Sequence, residues 1–251
     1  MIESVEAVVL RTLNHGDTSK IVTLYSREAG RLKMIAKGIR SPKNKSVGLF
    51  QPTHHIQAAY YTKAHSELQL FKSGELVQGF YHLESDLDRL TLAQVVVELV
   101  ERASENDEPH EAVFALLVKT LERLNDKDSR ASLTYWFFHL RFLTEMGFRP
   151  ETDRCQLCGS SLREGALLRP REAGMTCQTC QPRESADIAL PPELVQAVHR
   201  LSDDQWGELA DLNFSPTIRR RLWDFLWRYT HYHLESTRNM RSLAVLNQLY
   251  G

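Results

Sequence analysis

KIVTLYSREAGRLKMIAKGIR, residues 20–40, is the stretch whose reading decides the fold. Two short alternating runs, Lys20–Ser26 and Arg31–Lys37, flank the turn residues Glu28-Ala29-Gly30, the pattern of two strands joined by a tight turn. In the second run Leu32, Met34 and Ala36 fall on one face while Lys33, Ile35 and Lys37 fall on the other. That period of two is expected where one face is packed and one is wet, and here the wet face is cationic. Outward from this pair, Val5–Thr12, His54–Tyr61 and Glu67–Val77 read as three more strands. Asn14-His15-Gly16-Asp17 and the polar run Gly38–Gly48 supply further turn and loop chemistry. Five short strands in about 80 residues, with no long helix among them, suit a small closed or nearly closed barrel; an OB-fold and an SH3-like barrel fit the pattern about equally.

After Tyr81 the period changes from two to nearly four. Asp86–Ala103 places Leu87, Leu90, Gln94, Val97 and Val100 near one stripe. Pro109 opens a second helix with Val113, Leu116, Leu117, Leu121 and Leu124. Ser129 is placed to cap a third, which carries Leu133, Trp136, Phe137, Leu140 and Leu143 inward and ends at Gly147 and Pro150. Residues 150–190 break the helical pattern and hold all four cysteines. Helices then resume at Pro191-Pro192-Glu193, at a cap on Asp203 or Asp204, and at Ser215-Pro216, where Ile218, Leu222, Phe225, Leu226 and Tyr229 form the apolar side. A last amphipathic piece carries Leu243, Leu246 and Leu249. The expected class is α+β multidomain: a barrel over 1–80, a helical bundle over 81–149 and 191–251, and a cysteine insert over 150–190.

Composition is that of an ordinary globular chain, with 42% hydrophobic and 25% charged residues, and no apolar run approaches a membrane span. The acidic start MIESVEAVVLRTLNHGD is unlike a secretory signal, so a cytoplasmic location is expected. The net charge of −1 hides an asymmetry. Residues 1–80 hold eleven Lys/Arg against six acids, +5, which leaves −6 for the remainder. Such a split fits a polyanion-binding module joined to a neutral or acidic scaffold. The excess concentrates between Arg27 and Lys45, where seven basic residues face one acid. Arg31, Lys33 and Lys37 project together from the strand, and Arg40, Lys43 and Lys45 follow in the loop, a set able to grip a phosphate backbone without reading sequence. The alternative is a solvated charged loop. Tyr25, Phe50, Tyr60, Tyr61 and Phe71 lie nearby as candidates either for base stacking or for the barrel core.

Cys155-Gln-Leu-Cys158 is followed, after eighteen intervening residues, by Cys177-Gln-Thr-Cys180. Two such knuckles bring four thiolates into a tetrahedron about 2.3 Å from one zinc ion, which closes the coordination sphere and points to structure rather than catalysis. Gly159, Ser160 and Gly174 leave room for the tight turns. A redox CxxC pair fits less well without a thioredoxin-like pattern, and disulfides conflict with the cytoplasmic reading. Phosphate-binding loop, His-Glu-x-x-His and Gly-x-Ser-x-Gly motifs are missing, and His54-His55 and His231/His233 lack ligand spacing, so the chain is read as a non-enzyme.

Gly30-Arg-Leu-Lys-Met-Ile-Ala-Lys37-Gly38-Ile-Arg40, then Phe138-His-Leu-Arg141-Phe-Leu-Thr-Glu-Met-Gly147-Phe-Arg-Pro150 leading into Cys155-x-x-Cys158-Gly159, and finally Cys177-x-x-Cys180, together resemble the RecO family of bacterial recombination mediators and DNA repair proteins. The resemblance spans residues 1 to about 245. It implies an N-terminal OB-fold that binds single- and double-stranded DNA, a helical domain, and a four-cysteine zinc module holding one structural Zn2+. It also implies that the chain anneals complementary strands and, with RecR, helps to load RecA onto single strands coated by SSB, partly by binding the acidic, apolar C-terminal tail of SSB. A location at the nucleoid in the cytoplasm accompanies that role. Such a tail asks for an apolar groove rimmed by basic side chains, for which Arg123, Arg130 and Arg141 are the candidates; bracing the cysteine module is the alternative for Arg141. Two other classes stay open on the residues alone. One is a zinc-and-barrel adaptor contacting RNA or protein, and the other is a nuclease, which the lack of a carboxylate cluster disfavours.

Overall fold

Alternating burial along the first eighty residues is resolved by closing the sheet on itself. In the computed structural model, which describes residues 1–41, 44, 46–62, 66–105, 108–169, 174–180, 188–203 and 205–250, the strands are β1 (Ile2–His15), β2 (Ser19–Ser26), β3 (Gly30–Ala36), β4 (His55–Tyr61) and β5 (Leu68–Gln78). The order β1-β2-β3-β5-β4 closes into a barrel of the OB type, antiparallel except for the parallel pair β3/β5. The helices are α1 (Leu87–Ala103), α2 (Glu111–Asn125) and α3 (Ala131–Glu145), followed by strands β6 (Ala166–Arg169), β7 (Gly174–Thr176) and β8 (Ile188–Leu190), then α4 (Pro192–Asp203), α5 (Pro216–His233) and α6 (Arg241–Tyr250). Side chains of residues 208, 210 and 247–250, including the expected core residue Leu249, lie outside the described set, as does Asp204. The chain divides into two compact units, 1–131 with 239–251, and 132–238. Among the described residues no helix is long and apolar enough to cross a membrane.

In the first unit every second residue of β1 to β4 points into the barrel: Val5, Ala7 and Val9, Val22 and Leu24, Leu32, Met34 and Ala36, Ile56, Ala58 and Tyr60. The β3–β4 connection is not the wholly polar loop its composition suggests. Ile39, Leu49 and Phe50 from it join the same buried cluster, and full burial of a side chain such as Phe50 contributes about 1.5–3 kcal/mol. Gly30 turns the chain from β2 into β3 at φ +60°. A β-carbon there would lie 2.1 Å from the Glu108 carbonyl oxygen, so only glycine fits.

α1 departs from the expected stripe. Leu87 and Gln94 are exposed, while Leu92, Val95, Val96 and Leu99 are buried beside Val97 and Val100. A one-sided helix template fails because α1 is packed against β1, α2 and α6 at once. Its ends are tied by charge. Asp86 caps the first turn by accepting from the Arg89 N–H at 3.1 Å, and the Arg89 guanidinium donates to the carbonyls of Leu124, Asp126, Lys127 and Ser129, closing the C-terminus of α2. Farther along, the Glu98 carboxylate accepts the first free N–H groups of α6, from Arg241 at 3.0 Å and Ser242 at 2.8 Å. Burial works to raise the Glu98 carboxyl, but those two N–H groups, with the Ser242 hydroxyl and the Arg102 charge, together hold it below the usual carboxylate range.

The second unit is built on α3, buried on nearly all sides, with Leu222, Phe225, Leu226 and Tyr229 of α5 also buried. His139 sits at its centre with no exposure. Its Nδ1 lies 3.0 Å from the Tyr135 hydroxyl and its Nε2 2.7 Å from Thr230 Oγ1, so both ring nitrogens are satisfied without a charge. Burial, helped by nearby His231, pushes its pKa down to about 3 from the ordinary 6.5. The unfolded chain therefore binds a proton that the folded chain refuses between these two values, and folding stability falls as pH drops below about 6.5 by up to ~1.4 kcal/mol per pH unit. Chemical denaturation from pH 7 to 4 is expected to show a shallower acid loss for His139→Gln than for the unchanged chain; equal slopes would contradict the assignment.

Candidate metal centre and nucleic-acid interface

Residues 150–190 contain a small sheet that the sequence pattern did not reveal, with order β7-β6-β8. The first knuckle is wound by the Cys155 N–H donating to the Ser160 carbonyl at 2.7 Å and the Gly159 N–H donating to the Cys155 carbonyl at 2.9 Å, with Gly159 in the left-handed region at φ +72°. It is joined to β7, the strand that leads into the second knuckle, by the Gln156 N–H to the Met175 carbonyl at 3.1 Å. The Gln156 side chain also fills the space beside Gly174 that a β-carbon would otherwise take.

The four sulfurs of Cys155, Cys158, Cys177 and Cys180 all lie within 4.8 Å of one another, and no disulfide joins them. Cys155 and Cys180 Sγ are 3.7 Å apart, Cys158 and Cys177 Sγ 3.6 Å. A tetrahedron with about 2.3 Å from metal to sulfur has edges of about 3.8 Å, so this donor set fits one metal ion held by thiolates. Local hydrogen bonds favour the charged form at Cys177 and Cys155, whereas at Cys180 the neighbouring Cys158 and Cys177 sulfurs push the thiol well up. The Thr179 hydroxyl, 3.1 Å from Cys177 Sγ, leads the groups that lower that thiol to about 6, and at Cys155 burial is overcome by the N–H groups of Cys177, Cys158 and Leu157.

The outer face of the barrel carries a second arrangement. Cross-strand partners run Leu13–Ile21–Ile35–Leu70–Tyr61–Ile2, so a row of apolar side chains leaves β1 at Leu13 and returns to it at Ile2, the stagger that closure requires. Ile2, Leu13 and Tyr61 are 50%, 46% and 41% exposed. Basic side chains border this row. Lys33 projects from β3 with its Nζ 4.0 Å from Glu67, Lys37 is exposed just past the strand, and Lys72, at a bulge in the β4/β5 pairing, stands 5.9 Å over the Tyr61 ring. Arg40 is exposed and fastened to the β1–β2 turn: its N–H donates to the Thr18 carbonyl at 2.8 Å and its guanidinium to the Gly16 carbonyl at 3.3 Å.

The family model "Recombination protein O N terminal" matches residues 1–80, and the model "Recombination protein O C terminal" matches residues 84–243. The chain belongs to the RecO family. Its relatives include DNA repair protein RecO of Salinibacter ruber, 32% identical over 98% of this chain and 94% of the relative. The RecO proteins of Chloroherpeton thalassium and Pelodictyon phaeoclathratiforme are 30% and 29% identical over 99% of both chains.

Within this RecO-family chain, the residues singled out from sequence divide by their surroundings. Lys33, Lys37 and Arg40 face outward near the apolar row, whereas Lys43 and Lys45 lie outside the described residues. Arg31 turns to α1 and donates to the Glu101 carbonyl; Arg27, from the same basic run, pairs with Glu6 at 3.0 Å and Glu111 at 3.3 Å. Of the aromatic candidates, Tyr25, Phe50 and Tyr60 are buried and Phe71 packs against the barrel core, which leaves Tyr61 as the exposed ring. Arg123 and Arg130 belong to the first unit and Arg141 to the second. Arg141 lies 5.2 Å over Phe137 and donates to the Asp203 carbonyl, while Arg149 pairs with the Asp203 carboxylate, a clasp between α3, α4 and the entry to the cysteine module. The apolar row and Lys72 were missed because neither is visible until strand register is known.

Elemental analysis is expected to find one metal equivalent per chain, absent from Cys155→Ser/Cys180→Ser. Stripping the metal should lower the thermal midpoint by about 10 °C. A metal-free preparation that unfolds at the same temperature would remove the structural role.

Proposed function

We propose that this chain is a non-enzymatic mediator of DNA repair and recombination, which binds single- and double-stranded DNA on the barrel and anneals complementary strands. With RecR, it helps load RecA onto SSB-coated single strands. The observation that carries the reading is the part of the row where Ile35, Leu70 and Tyr61 are neighbours across β3, β5 and β4, with Lys33 and Lys72 beside them and the exposed Lys37 and Arg40 following Lys33 in the chain. Single-stranded nucleic acid offers both chemistries at once: base faces that stack on an aromatic ring and phosphates that release counterions to lysine and arginine. Membership of a family whose relatives are named DNA repair proteins supports the same conclusion. Annealing needs no bond-making step, since a cationic surface lowers the repulsion between two polyanions.

In this reading residues 1–80 are the DNA-binding module, 81–149 and 191–251 the helical scaffold, and 150–190 a module held by one structural zinc ion, the metal that four thiolates at this spacing suit best. The chain works in the cytoplasm at the nucleoid. The SSB tail is assigned to Arg123, Arg130 and Arg141, whose guanidinium groups match an acidic peptide. The clasp on Asp203 gives Arg141 a competing structural duty.

Salt titrations of single-stranded DNA binding test the barrel. Lys33→Ala/Lys37→Ala/Arg40→Ala should weaken binding and make the slope of log affinity against log salt shallower by about 2, at roughly 0.7 for each phosphate no longer neutralised. Tyr61→Ala should cost about 1–3 kcal/mol on single strands and much less on duplex, whose bases are already stacked. An unchanged slope would sink the phosphate assignment. For the tail, fluorescence anisotropy with an acidic C-terminal peptide is expected to show reduced affinity in the triple Ala variant of Arg123, Arg130 and Arg141; full retention would remove those residues.

A further inference from the structure

α5 carries a basic surface that DNA binding on the barrel leaves unused. Its buried side is Leu222, Phe225, Leu226 and Tyr229, and on the opposite side Arg220, Arg221 and Arg228 are exposed, with Asp224 as the acid between them. Among the described residues none of the three arginines has a hydrogen bond or ion pair, whereas Arg219 beside them donates to the Phe214 carbonyl at 2.9 Å. Arg220 and Arg221 gain nothing from the helix dipole either. The first turn of α5 holds no acid, and Ser215 with Pro216 already supplies the cap, so cations near this end stand against the dipole. Exposed guanidinium groups without a partner of their own point to an anion from outside.

The anion's class follows from what the face lacks. An acidic peptide is held by apolar anchors as well as charge, and in these turns Leu222, Phe225, Leu226 and Trp227 are buried while the half-buried Trp223 is already packed against Tyr135 and Trp227. Guanidinium groups spread over two turns, roughly 10 Å of helix, suit successive phosphates of a polynucleotide, which recur about every 3.4 Å along the axis for each strand. Arginine is also the side chain best matched to phosphate oxygens, through paired N–H donors.

We infer that the Arg220–Arg221–Arg228 face of α5 is a second nucleic-acid contact, which holds the sugar-phosphate backbone of one strand while the barrel holds another. The idea of two strands on one chain rests on the barrel reading; the α5 contact itself does not. A single chain then brings two polyanions together without needing a second copy of itself.

The test uses the full chain and short complementary oligonucleotides. Variants are Arg220→Glu/Arg221→Glu/Arg228→Glu, the matching triple Lys variant, and Lys33→Ala/Lys37→Ala/Arg40→Ala, each checked by thermal unfolding and metal content. At low salt the unchanged chain is expected to bind two oligonucleotides. The α5 Glu variant should bind one, with annealing slowed at least tenfold, and the Lys variant, which keeps the charge, should recover most of both. A folded α5 Glu variant that still binds two strands and anneals at the native rate overturns the inference and leaves the barrel reading standing. Loss of annealing in the α5 variant alone, with the barrel variant unaffected, supports the α5 contact and overturns the barrel reading. Binding of an acidic peptide, but not of DNA, through these arginines also overturns it.

Discussion

Three register pairs, Lys33–Leu68, Met34–Gln69 and Ile35–Leu70, join β3 to β5 in parallel and close the barrel. Without them β3 and β5 would both be open edges, with unpaired N–H and C=O groups. Parallel neighbours cannot be linked by a tight turn, so the chain must cross the barrel end between β3 and β4. That crossing is why Ile39, Leu49 and Phe50 become a plug rather than a surface loop. Closure also decides what the outside looks like, because it sets Ile35 beside Leu70 and Leu70 beside Tyr61. The candidate binding surface is thus a by-product of the same pairing that seals the core.

Cations in this chain are sorted by chemistry. Arg27, Arg31 and Arg89 reach carbonyls and carboxylates of neighbouring elements, and Arg141 with Arg149 does the same around Asp203. A planar guanidinium with five donors suits such bracing, whereas a lysine ammonium keeps its hydration. The lysines Lys33, Lys37 and Lys72 stay at the surface accordingly. Arg220, Arg221 and Arg228 of α5, with no partner among the described residues, depart from that division.

The five strands, the helices that follow and the four-cysteine site were legible in the sequence because each rests on a short-range signal. For β3 the alternation of Leu32, Met34 and Ala36 matches burial residue by residue, and Ser215-Pro216 does begin α5. What escaped depended on tertiary neighbours. The stripe drawn on α1 failed since several elements pack on it at once, and the strands around the cysteines are too short to show a period. His139 looked like any residue of an aromatic helix until Thr230, far away in sequence, was found against it. The basic run from Arg27 to Lys45 was visible as composition, yet composition does not distinguish Arg31, aimed at a helix end, from Lys33 two residues later.

The seat of α6 bears on how this molecule is made. Glu98 holds the first amides of α6, which follows residues 132–238 in the order of synthesis yet belongs to the unit containing β1. Residues 132–238 leave the ribosome before it, a delay on the order of ten seconds at ordinary elongation rates. During that interval the flank of α1 that receives α6 is bare and the Glu98 carboxylate has no amides to cap. The first unit therefore cannot cover that flank of α1 until the residues that follow 238 have emerged.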